Sequence, residues 1–543
     1  MIAPARRWEA LRAGFRWVLP EEFNFGALVD AWATDRSRLA LVAESAAGEV
    51  TRLSFWDVSK ASNRARHALA AMGVSRGDPV LVMLPRIPAW HVAVVGAMKL
   101  GALVVPCTTA LRARDLAWRL RHSGARAVVT TLELVPEVER ALDALESPPA
   151  RIALGGAPAG WHDWDRLLAR AGDGGTAART RCDEPALCYY TSGTTKDPKA
   201  VLHGHGYAFA HRWTGEYWLD VQRTGLHWTT ADTGWAKAAY GVLFGPWMNG
   251  APLFLSQTRF DPERQLDLLE RWEITTFCAP PTEYRLLVQQ DLRRWRLPRL
   301  RHCTAAGEPL NPEVIHTWHD RFGLFIHDGY GQTETTLLAA NLPALPIRPG
   351  SMGKPFPGHD LRVIDADGNE APVGELGDLA LRGRPPSLFL GYWKDAEATA
   401  ACWRGEWYVT GDRGRRDEDG YLWFVGRADD VIISAGYRIG PFEVESALLE
   451  HEAVVESAVV GSPDPVRGEV VKAFVVLRPG IAGTPELVRV LQEHVKRVTA
   501  PYKYPRAIEF VDALPKTVSG KIRRGELRAK ERSRVGAGDH EQA

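Results

Sequence analysis

Between residues 78 and 131 the chain alternates short apolar runs with segments of helical spacing, and this alternation restricts the fold more than any other feature. Residues 79–84 (PVLVML) are continuously apolar. Residues 89–100 have helical period and stop at Gly101. Residues 102–106 are apolar and β-branched, 111–122 form an arginine-laced helical pattern ending near Gly124, and 126–131 give a further strand. Strands separated by helices imply parallel pairing through right-handed crossovers. A second series follows, with strands at 275–278, 300–305 and 324–327 and helices at 281–290 and 312–322. The Gly/Ala-rich stretch 155–180 reads as a surface connection between the two. From Ser351 short apolar runs are divided by Gly and Asp, a β-rich texture with tight turns. After Gly426 a smaller α+β pattern appears, with helices at 443–449 and 486–498 and strands at 456–460, 470–477 and 507–511.

The expected fold class is therefore α/β. A large N-terminal domain (1–427) holds two α/β layers and a β-rich subdomain. A hinge at 427–430 joins it to a smaller C-terminal α+β domain (428–530), and the charged tail 531–543 is expected to be disordered.

A chain of 543 residues exceeds one hydrophobic core, so several folding units agree with this division. Its 67 basic and 66 acidic residues give a net charge of +1, which supplies no general attraction to nucleic acid or an anionic membrane. Six cysteines (Cys107, Cys182, Cys188, Cys278, Cys303, Cys402) lack C-x-x-C spacing, so neither a disulfide framework nor a zinc site is expected, and a reducing compartment fits. The most apolar region, 91–106, is broken by Lys99 and Gly101 and does not span a membrane. Arg6, Arg7, Arg12 and Arg16 are accompanied by Glu9 and lack a signal peptide's apolar core. The reading is an amphipathic first helix in a cytoplasmic monomer or homodimer. A mitochondrial transit peptide, with residence in the matrix, is the alternative.

At 191–199 the apolar run 185–190 feeds TSGTTKDPK. Glycine lets backbone amides converge, hydroxyls add donors and lysine adds charge, so the loop suits a phosphate. It is not a Walker A sequence, and taken alone it reads equally well as an exposed polar turn.

Further stretches follow in order: AGEP at 306–309, DGYGQTE at 328–334, TGD at 410–412, GRADDVIISAGYRIGP at 426–441 and PKTVSGKIRR at 515–524. Together with TSGTTKDPK they resemble the adenylate-forming superfamily of acyl-CoA synthetases, luciferases and peptide-synthetase adenylation domains. TADTGWAKAAYGVLFGPWMNG (230–250) and APYKYPR (500–506) look like its medium-chain acyl-CoA synthetase branch.

The resemblance implies an ATP- and Mg²⁺-dependent enzyme that converts a carboxylic acid to acyl-AMP, releasing pyrophosphate, and then passes the acyl group to coenzyme A. Transfer to a carrier-protein phosphopantetheine, or a non-catalytic nucleotide-binding homologue, are the alternatives. By resemblance Thr191, Ser192, Gly193, Thr194, Thr195 and Lys199 hold the β- and γ-phosphates. Family members usually have glycine where this chain has Lys196 and Ala200. Gly307, Glu308, Pro309, Asp328, Gly329 and Tyr330 frame adenine, Tyr330 by stacking, with Gln332 and Thr333 also at the nucleotide. Glu334 holds Mg²⁺, as a hard cation prefers carboxylate and phosphate oxygen. Asp412 takes the ribose hydroxyls beside Arg427, and Lys521 reaches the carboxylate and α-phosphate. Asp429 is the hinge of a rotation that exchanges Lys521 for a thioester site. That second site is formed by Ala435, Gly436 and Arg438, with Lys496 on the CoA phosphates. Trp218, Lys237, Tyr240, Cys278, Gly307 and Gly331 line the acyl tunnel. Acetyl-specific relatives carry tryptophan at the position of Gly331, so glycine implies a deeper slot for medium-chain, branched or aromatic acids.

Overall fold

The computed structural model describes residues 4–143, 145–191, 198–435, 437–464, 467–517 and 521–538. The first β/α series forms an eight-stranded sheet whose interior strands, Leu103–Pro106, Pro79–Met83 and Ala127–Thr131, are adjacent and parallel. Pro185–Tyr190 and Ala200–Gly204 continue the sheet to its edge strand, Gly391–Tyr392. The second series forms a nine-stranded sheet in which Thr276–Ala279, His302–Ala306 and Ile326–Gly331 run parallel side by side.

Helix Pro88–Leu100 is buried on almost every face, from Trp90 to Lys99. An all-round apolar helix of this length has no solvent side, and it packs into the largest apolar cluster with Phe55, Phe244 and Trp247. Its one charge, Lys99, is fully buried. The ammonium ion-pairs Asp30 at 2.5 Å and donates to Ser59 O and Asn63 Oδ1, which meets the requirement that a buried ammonium be paired. Gly101 ends the helix at φ +77°, and strand Leu103–Pro106 follows.

The β-rich subdomain is antiparallel, built on Asp360–Ile364, Gly377–Arg382, Trp407–Arg416 and Leu422–Arg427. The last strand ends at Arg427 and the C-terminal sheet begins at Ile432–Ser434, so the expected hinge segment joins two sheets. Helices Pro441–Leu449 and Pro485–Val498 cover that second sheet.

Two expectations are corrected. The connection 155–180 contains a short strand, His162–Asp163, and a helix, Trp164–Arg170, anchored by buried Trp164. The tail is not disordered from residue 531, because helix Arg524–Gly538 runs through it. Charged composition concealed a buried face there. Leu527 packs with Ala458, Val460 and Phe474, while buried Glu531 accepts from Lys472 Nζ at 2.7 Å and Ser462 Oγ at 2.9 Å.

Candidate active site

The site forms where parallel strands of the two large sheets end. Chain segments leaving the C-terminal edges of such strands are the usual place for a ligand in α/β folds. Thr191 leaves Pro185–Tyr190, Gly307 leaves His302–Ala306, and Tyr330 and Gly331 end Ile326–Gly331.

The stem of the candidate phosphate loop is closed by Thr191 N–H donating to Lys199 O at 2.9 Å. Ser192, Gly193, Thr194, Thr195 and Lys196 lie outside the described residues. The Lys199 ammonium stands 4.6 Å above the Tyr392 ring. The hydroxyl of the same tyrosine donates to Glu334 Oε1 at 2.7 Å. Backbone contacts fix this segment further. Phe389 N–H donates to Glu334 O, and His203 Nε2 donates to Thr333 O at 2.7 Å. Burial pushes the His203 imidazole down to about 4, so it is neutral and suited to that fixed role.

Asp412 sits opposite Arg427 in strand register. Its Oδ2 accepts from Tyr330 Oη and from Gln332 Nε2, each at 2.7 Å. Gln332 is held in turn by Thr410 O and Tyr408 Oη. Burial raises the Asp412 pKa, opposed by the Tyr330 hydrogen bond and the charges of Arg427 and Lys521. Oδ2 is thereby fixed by two hydrogen bonds.

Gly307 adopts φ +102°, and a Cβ there would lie 2.2 Å from Lys237 Cε. The turn therefore requires glycine for both backbone conformation and space. Glu308 Oε2 accepts from Thr282 at 2.8 Å and Arg285 at 3.0 Å, tying the turn that continues through Pro309 to helix Pro281–Leu287. Against burial, Arg285 and Lys237 hold the Glu308 carboxyl below its usual value. Asp328 is buried, accepts from Gly329 N–H at 2.9 Å, and has its pKa raised well above the usual range by burial.

Trp218 and Tyr240 lie on two π-helical turns, Thr214–Trp218 and Ala239–Leu243, and their rings meet edge-on at 5.7 Å. Cys278 and Ala306 share their apolar cluster, and Trp8 of the first helix completes it. The arginine-rich N-terminus is thus part of the folded body. Lys237 makes no hydrogen bond or ion pair among the described residues. Burial lowers its pKa and Lys521 lowers it further, while Glu308 acts in the opposite direction. Gly331 has a structural reason to be glycine: a Cβ would lie 2.3 Å from Thr336 O across the bulged strand pair.

Lys521 lies close enough to Asp412 and Lys237 for its charge to act on both. The candidate coenzyme A residues are not brought there. Ala435, at φ +48°, and Arg438 are exposed on the hairpin of Ile432–Ser434 and Tyr437–Ile439. Gly436 lies outside the described residues. Lys496 ion-pairs Glu493 at 2.6 Å and stands over the Tyr504 ring. Asp429 is exposed between Arg427, at 3.5 Å, and Arg528, at 3.9 Å. Tyr392, His203 and Arg528 were missed in the sequence. None belongs to a quoted phosphate or nucleotide motif, and their partners are distant along the chain.

The family model described as AMP-binding enzyme matches residues 28–393, and the one described as AMP-binding enzyme C-terminal domain matches residues 443–521. The chain belongs to the AMP-binding, adenylate-forming enzymes. Within them it is an acyl-CoA synthetase, activating a carboxylic acid with ATP and transferring the acyl group to coenzyme A. It is 46% identical to the mitochondrial acyl-coenzyme A synthetase ACSM4 of Homo sapiens over 535 residues, covering 94% of this chain and 91% of that protein. The solved acyl-CoA synthetase of Brucella canis is 37% identical with TM-score 0.76, covering 97% of this chain and 99% of that one. The anthranilate CoA ligase AuaEII, solved with anthranoyl-AMP, is 31% identical with TM-score 0.88, covering 94% and 98%. Adenylate-forming enzymes of this type use Mg²⁺. Among the described residues no group of three His, Cys, Asp or Glu side chains could hold a metal alone. A lone carboxylate such as Glu334, completed by phosphate and water oxygens, is the donor set Mg²⁺ accepts. No helix among the described residues is long and apolar enough to cross a membrane.

Proposed function

We propose that this acyl-CoA synthetase acts on medium-chain, branched or aromatic acids, with the acyl chain against Trp218, Tyr240 and Cys278. In this reading Glu334 holds Mg²⁺, which neutralises the triphosphate when bound. Asp412 orients the ribose, and Lys199 and Thr191 flank the phosphates. Lys521 carries positive charge to the oxygens that bear the shifting negative charge. Positioning and charge neutralisation suffice for adenylation, and no protein nucleophile is required. The hairpin at Ala435 and Arg438 would serve the second step after rotation at Asp429, with Lys496 toward the coenzyme A phosphates.

What supports the reading is that the positive charge of Lys521, a residue of the small domain, acts on Asp412 and Lys237 of the large one. Aromatic acids are supported by the ligand of AuaEII and by the benzoate CoA ligase likeness, and medium-chain acids by the 230–250 and 500–506 segments. All six cysteines are unpaired and four are buried, which supports a reducing compartment, either cytoplasm or the mitochondrial matrix for which the curated relatives are named. Lys521→Ala should nearly abolish acyl-AMP formation while supplied acyl-AMP and coenzyme A still give thioester. Equal loss in both half-reactions would refute the assignment. Free coenzyme A as acceptor, assayed against a phosphopantetheine carrier, separates the two transfer readings.

A further inference from the structure

Strand Gly391–Tyr392 is only two residues long, yet it joins two parts of the active site. It pairs with the strand leaving the phosphate loop, with Tyr392 opposite Val201 and Gly391 opposite Leu202. Trp393 N–H donates to Ala200 O and Leu390 N–H to Leu202 O, each at 2.7 Å. On the other side Phe389 N–H donates to Glu334 O at 2.8 Å. The Tyr392 side chain repeats the connection. Its hydroxyl donates to Glu334 Oε1 at 2.7 Å, and Lys199 Nζ stands 4.6 Å over its ring. The residue is buried, its N–H donates to Thr399 Oγ1, and Phe389 packs edge-on against the ring at 5.0 Å.

We propose that Tyr392 is a positioning residue that sets the geometry of the magnesium carboxylate Glu334 and of the phosphate-loop lysine Lys199 together. This rests on the adenylation reading above. A carboxylate with one oxygen held by a buried hydroxyl is restricted to few rotamers, and its second oxygen then faces the ligand at little entropic cost. A cation resting on an aromatic face is likewise restrained without an anionic partner that would compete with phosphate. One ring thus restrains both groups with no negative charge of its own. A tyrosine that merely filled the core would satisfy its hydroxyl equally well, but it would leave Mg²⁺ and ATP binding untouched.

The test uses the full-length protein and its Tyr392→Phe and Tyr392→Leu variants. ATP binding is measured by titration calorimetry across Mg²⁺ concentrations, thermal melting controls for folding, and AMP release is measured in parallel. Phe keeps the ring and strand but removes the bond to Glu334. The Mg²⁺ concentration for half-maximal enhancement of ATP binding should rise roughly tenfold or more, the range of a hydrogen bond to a charged group, with Mg²⁺-free ATP affinity unchanged. Leu should in addition weaken Mg²⁺-free ATP binding about twofold to fivefold through loss of the face beneath Lys199. Tyr392→Phe that melts lower but keeps the wild-type Mg²⁺ dependence overturns the proposal, as does a Mg²⁺ shift no larger than that in Mg²⁺-free ATP binding. If Leu fails to fold, Phe alone decides. The binding arm is independent of turnover. A wild-type protein that shows the Mg²⁺ effect yet releases no AMP with any acid would refute the acid-activation reading and leave the Tyr392 role standing.

Discussion

Gly307→Ala examines the turn against which Lys237 rests, which the proposed reading sets between nucleotide and acyl group. At φ +102° an alanine is strained by about 1–3 kcal/mol. Its Cβ would lie 2.2 Å from Lys237 Cε and 2.4 Å from Lys237 Nζ, far inside contact distance. The far end of a lysine can move, at about 0.5–1.5 kcal/mol for an off-rotamer side chain. Backbone strain is therefore the larger contribution, and together the two reach about 1.5–4.5 kcal/mol. Expressed in the transition state, that is a fall of roughly 10-fold to 2,000-fold in kcat/KM for AMP release with a medium-chain acid. The two contributions can be separated. Adding Lys237→Ala to Gly307→Ala removes the lysine end and should recover roughly twofold to tenfold relative to Lys237→Ala alone, leaving the backbone strain in place. Circular dichroism and thermal melts establish that the variants fold. A Gly307→Ala enzyme within threefold of wild type would refute the need for glycine. A loss unaffected by Lys237→Ala would show that the lysine does not rest against this turn in the working enzyme.

Glu531→Ala should destabilise the C-terminal domain by about 3 kcal/mol, because it leaves the Lys472 ammonium buried with Glu509 as its remaining carboxylate partner. An unchanged Tm would contradict the buried pairing. Acid sensitivity follows from eight imidazoles, His91, His203, His205, His211, His227, His302, His327 and His359, each pushed down by burial to about 3 or 4. They stay neutral in the folded chain, and on unfolding they take up protons once the pH is below about 6.5. The stability they permit is complete above that pH and is lost as pH falls through the window from about 6.5 toward 3. Tm should fall steeply between pH 6.5 and 5 and change little from 6.5 to 7.5. A flat profile would refute the burial assignment.

What could be read from the sequence was whatever is encoded locally. Alternation of apolar runs with helical spacing specified both large sheets, because strand and helix periods are properties of neighbouring residues. Lys521, Glu334 and Asp412 could be singled out as candidates because each sits in a short characteristic stretch. Tyr392 and His203 were not, since the atoms they hold lie 58 and 130 positions away and nothing in their surroundings announces the pairing. The charged tail misled for the same reason: Glu531 looks solvated until Lys472, 59 residues earlier, is placed beside it. Gly331 shows the converse. A missing side chain suggests room, but its absence here is required by Thr336 O at 2.3 Å from where a Cβ would lie.

The C-terminal domain gives a geometric reason why two steps would need two arrangements. The Lys521 loop, whose ends are joined by the Lys516–Ile522 bridge, is fixed to that domain's sheet by Lys516 on Glu456 at 2.6 Å and by Leu514 and Leu527 packed on Ala458 and Phe474. The hairpin bearing Ala435 and Arg438 is fixed to the same sheet through Ser434 opposite Gly468. Arg524, next to the loop, ion-pairs Glu445 at 2.7 Å on helix Pro441–Leu449, which follows the hairpin. Loop and hairpin therefore belong to one packed body. With the charge of Lys521 acting on Asp412 the hairpin is exposed, so turning the hairpin inward would withdraw Lys521. The short segment between Arg427 and Ile432, held by Arg528 through Asp429 and Asp430, is where such a rotation would be taken up.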